Sequence, residues 1–184
     1  MLHTPLSFIR FIFLLSLMDN ISDNISAKTS SKTLDGGIGN SFKKTERLNS
    51  QLVIDKLFAG GNASMAVFPL RAVFMKTTLA DNGHSGELPP VSILISVPKK
   101  RFRHAVDRNR MKRLVREAYR TQKHVLWRAL DGKDYRLAVA FVCITDSMPS
   151  FFHVRKSMMK ILTRIAEKMG DAANNGISSP EVRP

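Results

Sequence analysis

Six cations and one acid share the thirteen residues RNRMKRLVREAYR, from Arg108 to Arg120. Wound as a helix at ~100° per residue, Met111, Leu114, Val115, Ala118 and Gln122 fall in one arc, which reads as the side turned to a core. The other arc takes Arg108, Lys112, Arg113, Arg116 and Arg120, with Asn109 in their midst and Arg110 at its border. Cations one turn apart match closely spaced phosphates of a polynucleotide, and each phosphate neutralised releases condensed counterions, so such binding weakens steeply with salt. Arginine adds a planar fork that holds two oxygens at once. Asn109 adds no charge; its amide suits a hydrated cation or a ribose 2′-hydroxyl. An ordinary solvated helix face alternates in sign, whereas here Glu117 is the one acid within the run.

The charge of the whole chain agrees with this reading. Its 184 residues carry 29 Lys and Arg against 15 Asp and Glu, a formal +14. Lys99 to Arg136 holds 14 of those cations and 4 of the acids, a local excess of +10. A field so concentrated attracts polyanions. Hydrophobic residues make up 43% of the chain, eleven of them Phe, enough for one core. The single cysteine, Cys143, excludes an intramolecular disulfide and a cysteine metal cluster, and fits a reduced compartment. The five histidines show no ligand spacing, and no clustered carboxylates mark a two-metal nuclease site. Phe8 to Met18 (FIRFIFLLSLM) resembles the apolar centre of a secretory signal, but Arg10 interrupts it, no cation precedes it and no small-x-small cleavage site follows. It is too short to span a bilayer, and a true start at Met18 or later is expected.

Around the basic helix, expected from His104 to Lys123 with Asp107 as its N-cap, the remaining elements fall into order. Residues 1–44 read as a flexible arm, 45–169 as the folded domain and 170–184 as a disordered tail. Thr45 to Phe58 reads as a helix capped by Thr45, with Leu48, Leu52, Ile54, Leu57 and Phe58 as apolar contacts and Gly60-Gly61 as its stop. Ser64 to Thr78 is β-prone, Pro69 marking an edge, a bulge or a break between two strands. Val91 to Val97 alternates cleanly, its Ser92, Leu94 and Ser96 leaving a small-residue floor on one face. Tyr135 to Ile144 is a buried strand, and a closing helix runs to about Met169 with Phe151, Val154, Met158, Ile161, Leu162 and Ile165 inward. The order αβββαβα gives a single-domain, two-layer α+β sandwich with one sheet. Its β-α-β crossover is right-handed by the general rule.

The run from Arg108 to Arg120 resembles the signature of the bacterial ribonuclease P protein component. Arg47-Leu48, Ile54, Lys56, Phe58 and Gly61 resemble that family's first-helix pattern, and VSILISVPKK its third strand and basic turn, so the likeness covers about Arg47 to Lys168. The resemblance implies a left-handed crossover through the basic helix, against the general rule. It also implies that a catalytic RNA carries out phosphodiester hydrolysis with Mg²⁺ while the protein binds that RNA. Lys99, Lys100, Arg103, Arg108, Asn109, Arg110, Lys112, Arg113, Arg116 and Arg120 would contact the ribonuclease P RNA, with Asn109 near a bound metal. Ile54, Lys56, Phe58 and Phe74 would line a cleft for the single-stranded 5′ leader of precursor tRNA, where aromatic faces stack bases. Ile54 replaces the usual aromatic, and Arg101-Phe102-Arg103 stands where the family has a glycine after the Lys-Lys turn.

The function expected is the non-catalytic protein subunit of ribonuclease P, acting in the cytoplasm with its RNA and precursor tRNA and with no membrane or obligate protein partner. The alternative is a structural, ribosomal-type RNA-binding protein with no role in cleavage. A helix-turn-helix DNA reader fits less well, because strands flank the basic helix where that motif needs a second short helix.

Overall fold

β-Branched and small apolar residues fill Leu70–Thr77, Val91–Ser96 and Arg136–Cys143, and these segments form the long strands of one sheet. The structure is a computed structural model and describes residues 41–77 and 89–174. With β1 at Ala63–Val67, β2 at Leu70–Thr77, β3 at Val91–Ser96 and β4 at Arg136–Cys143, the sheet order is β1-β2-β4-β3. β2 pairs antiparallel with β1 and β4, while β3 runs parallel to β4 from Val91↔Leu137 to Ser96↔Val142. The sheet is thus mixed, in a single α+β domain. Pro69 marks a break: Phe68 and Pro69, joined by a cis peptide, connect β1 to β2.

Alternate residues of a strand face opposite sides, and β4 uses this to carry two cores. Leu137, Val139, Phe141 and Cys143 join Leu70, Ala72, Phe74, Val91 and Ile93 in the larger one. It is closed by α2 (Ala105–Gln122), α3 (His124–Ala129) and α4 (Phe151–Asn174). Val154, Met158, Ile161, Leu162 and Ile165 of α4 are fully buried there, each contributing roughly 1.5–3 kcal/mol. Phe151, expected among them, stays exposed at the first turn. On the reverse face Ala138 and Ala140 leave room for α1 (Gln51–Phe58), which lays Val53, Ile54 and Leu57 against them. α1 thus packs on the face of the sheet opposite α2, α3 and α4.

The first helix is shorter than expected and Thr45 does not cap it. Lys44–Glu46 is a 3₁₀ turn, and Arg47 and Leu48 then run extended beside β3, where the Leu48 N–H donates to the Ile93 carbonyl at 2.8 Å. Leu48 is buried through that pairing, not through helical periodicity, and Leu52 points into solvent. The domain also begins before residue 45, because the Phe42 ring packs edge-on against Tyr119 at 6.0 Å. The rest of the expected arm, residues 1–40 with the apolar run Phe8 to Met18, and the tail from residue 175 lie outside the described residues. α4 continues past Met169 to Asn174.

Gly60 and Gly61 stop α1 in left-handed backbone, with φ of 100° and 78°. The chain turns back so that the Asn62 amide donates to the carbonyls of Lys56 and Leu57 at 2.6 and 3.0 Å. Two carbonyls left over at the helix end are satisfied this way. Asn62→Ala is expected to cost about 1 kcal/mol, measured as a shift of the urea midpoint at constant m-value. Cys143 is buried and burial pushes its thiol pKa up. The native chain is therefore expected to resist a thiol reagent at pH 8 and to react stoichiometrically once unfolded.

Candidate nucleic-acid interface

The turn after β3 sets up the basic surface. The Pro98 carbonyl accepts from the Arg101 and Phe102 N–H groups, and Phe102 plugs the larger core at 5% exposure. Lys99, Lys100 and Arg103 are all exposed around it, at the mouth of α2. Arg101 is held to Asp146 by two hydrogen bonds of 2.9 and 2.8 Å. Both partners of that pair are open to water, so Arg101→Ala is expected to change stability by less than ~1 kcal/mol, a near-null result checked by thermal melting.

His104, in extended conformation, is the N-cap of α2, and Asp107 lies in the first turn instead. A carboxylate there still favours the helix dipole. Met111, Val115, Ala118 and Gln122 are buried as expected and Leu114 is partly so. Lys123 and His124 carry the chain straight into α3, so no glycine stop is needed.

The cations divide into three groups. Arg108 and Lys112 border the core arc and are only 8% exposed, which corrects their expected place on an open comb. Arg108 instead donates from Nη1 to the carbonyls of Phe102 at 3.2 Å and Arg103 at 2.9 Å, tying the turn to the helix. Arg116 and Arg120 are half-buried. Arg120 grips the Glu117 carboxylate with Nε at 2.8 Å and Nη2 at 2.5 Å. The guanidinium holds that carboxyl below its ordinary pKa, and the carboxylate raises the pKa of Arg120 in turn. Asn109, Arg110 and Arg113 are exposed, next to the exposed Lys99, Lys100 and Arg103 in sequence.

α2 is fixed at its far end by a contact that no motif announced. Lys123 reaches back with Nζ to Glu46 Oε1 at 2.8 Å and to the Ser41 carbonyl at 2.7 Å, over the Trp127 ring. Tyr119 lies on the same side, where its hydroxyl accepts from Trp127 Nε1 at 3.3 Å and burial raises its pKa. The segment from Phe42 to Leu48 thus joins α2 to the edge of β3.

The expected cleft residues do not gather in one place. Ile54 is 3% exposed and packs α1 onto the sheet, so it anchors the helix and is not an open wall. Lys56 is exposed on α1, and Phe58 is half-buried beside Val73, Met75 and Leu94. Phe74 is a correction: it points to the opposite face and is buried at 2% in the larger core, with Lys168 Nζ 5.9 Å from its ring. Strand parity decides this, since Val73 and Met75 pair with Ala140 and Ala138 under α1. Val73 and Met75 were missed, and the signal was the pair of alanines, which marks the face a helix can approach closely; Leu94 lies on the floor that the alternation of β3 marked. Among the described residues no three His, Cys, Asp or Glu side chains gather as a metal site. Asn109 offers one neutral oxygen, which alone does not hold Mg²⁺.

A family model described as Ribonuclease P matches residues 42–166. The chain belongs to the ribonuclease P protein family. A ribonuclease P protein component from Porphyromonas gingivalis is 42% identical over 130 residues, which cover 71% of this chain and 90% of that protein. One from Chlorobium phaeobacteroides is 34% identical over 133 residues, covering 68% and 88%. A solved ribonuclease P protein from Thermotoga maritima aligns over 64% of this chain and 96% of its own, at 22% identity and a TM-score of 0.46. The ribonuclease P match begins at Phe42, where the packing against Tyr119 also begins, and it encloses α1, the sheet and all of α2. Membership gives the chain the role of a subunit of the ribonuclease P endoribonuclease, active in tRNA processing, and the ribosomal-type alternative is not favoured.

Proposed function

We propose that this is the non-catalytic subunit of a cytoplasmic ribonuclease P particle, which grips the catalytic RNA through α2 and the turn before it. The observation that carries the reading is the exposure of Asn109, Arg110 and Arg113 on α2 together with Lys99, Lys100 and Arg103 in the turn that leads into it, within a chain of this family. Arg113 and Arg110 would meet phosphates, and the Asn109 amide a 2′-hydroxyl or a metal-bound water. Arg116 and Arg120 border that surface, while Arg108 and Lys112 shape it from behind. The single-stranded 5′ leader of precursor tRNA would lie along the face that carries α1, with a base stacked on Phe58 and Lys56 near a phosphate. Mg²⁺ would enter with the RNA, because the described residues do not build a site for it. No helix among them is long and apolar enough to cross a membrane.

The test is reconstitution of the full chain with a bacterial ribonuclease P RNA at low Mg²⁺. Added protein is expected to stimulate cleavage of precursor tRNA, and the complex is expected to prefer precursor over mature tRNA. No stimulation would end this reading. Stimulation without leader preference would remove the leader from it.

A further inference from the structure

Among the described residues, α4 carries a second row of exposed cations. Phe152, Lys156, Lys160, Arg164 and Lys168 follow one another at i, i+4 spacing, about 6 Å apart along the axis. All five are exposed. Lys156, Lys160 and Arg164 meet no acid or hydrogen-bond acceptor among the described residues, whereas several cations of α2 are engaged. Between Phe151 and Gly170 the helix carries five Lys and Arg against one acid, Glu167, so alternating surface pairs do not explain the row.

Two exposed phenyl rings flank it. Phe152, at the head, and Phe68, at the β1–β2 turn, are each 68% exposed. Ser157 on α4 fixes the turn, its hydroxyl donating to the Phe68 carbonyl at 2.5 Å. Helical winding puts Ser157 on the same flank as Lys160 and Arg164, so Phe68 stands beside the cations. Bare phenyl rings next to unpaired cations, repeated at phosphate-like intervals, make a surface for a single strand whose bases stack while its backbone is neutralised.

α4 packs side by side with α2, and beyond that contact it covers β1 and β2 toward one edge of the sheet, while α2 covers β3 at the other. The two sets of exposed cations belong to different helices. α1 lies on the opposite face. Resting on the reading that the chain serves in ribonuclease P, we infer that the α4 row is a second RNA-binding rail. It takes an unpaired segment of the ribonuclease P RNA itself, apart from the segment held by α2. The leader is the less suitable occupant, since it would have to leave the α1 face and round the sheet edge.

The experiment is equilibrium binding of the full chain to ribonuclease P RNA across a KCl series, with precursor tRNA as a separate arm. The Lys156→Ala/Lys160→Ala/Arg164→Ala variant is expected to bind the RNA subunit at least roughly tenfold more weakly. Its slope of log K against log salt should fall by about 2, at ~0.7 per single-strand phosphate contact. Phe68→Ala/Phe152→Ala should lose roughly fivefold or more at every salt concentration with the slope unchanged. Wild-type affinity and slope in a triple variant that melts normally, while Arg110→Ala/Arg113→Ala is impaired, overturns the rail alone. A loss confined to precursor tRNA overturns its assignment to the RNA subunit. A wild-type chain that binds no ribonuclease P RNA overturns the proposed function as well.

Discussion

Lys123→Met is expected to lower the stability of the full chain by about 3–5 kcal/mol, the usual penalty for removing one partner of a buried ion pair. Lys123 and Glu46 side chains are 2% and 0% exposed, and Nζ lies 2.8 Å from the carboxylate. Without the ammonium, Glu46 keeps one hydrogen bond from the Lys43 N–H at 3.0 Å and has no cation to balance it. The pair itself adds little net energy, because the cost of desolvating two charges offsets their attraction. Its value is positional, since it joins the end of α2 to the segment from Ser41 to Leu48. The double variant Lys123→Met/Glu46→Gln should recover most of the loss. Urea denaturation checks both, and a single-variant loss below about 1 kcal/mol would mean that the pair is open to water.

The second large effect concerns activity. Arg110→Ala/Arg113→Ala removes two exposed cations from the open side of α2, so folding should be little changed. One charge-assisted hydrogen bond is worth about 1.5–3 kcal/mol. Cleavage by the reconstituted particle at limiting protein and low Mg²⁺ should therefore fall at least roughly tenfold. Raising the protein concentration should restore it, because a weakened grip on the RNA is a binding defect. Arg108→Ala should behave differently: that side chain holds the turn carbonyls at 103 and 102, and its loss should appear in the melting curve as well.

Long periodic elements were legible in the sequence. α2 at Ala105–Gln122 sits one residue inside the expected bounds at each end, and β4 at Arg136–Cys143 does the same. Both carry a repeat long enough to outvote local noise. α3 was not legible, because HVLWRA is six residues long and follows α2 without any stop signal. The extended stretch at Arg47 and Leu48 was hidden too, since its cause is a long-range pairing with Ile93. Phe42 is a lone aromatic among polar residues, with no period to announce its packing.

The site was legible in its charge and less so in its geometry. The sequence located the basic helix but not which cations border the core, because long stems bury readily at the edge of an apolar arc. Arg108 and Lys112 fell on that edge. Phe74 was misplaced for a different reason: aromatic character indicates a base-stacking candidate, but only the register with β4 tells which face the ring is on.

The most direct test of the central claim is the salt dependence of binding between the full chain and ribonuclease P RNA, with and without Arg110→Ala/Arg113→Ala. Each lost phosphate contact lowers the slope of log K against log salt by about 1, so the account predicts a steep wild-type slope and one smaller by about 2 in the variant. Identical slopes and affinities for the two proteins would contradict it.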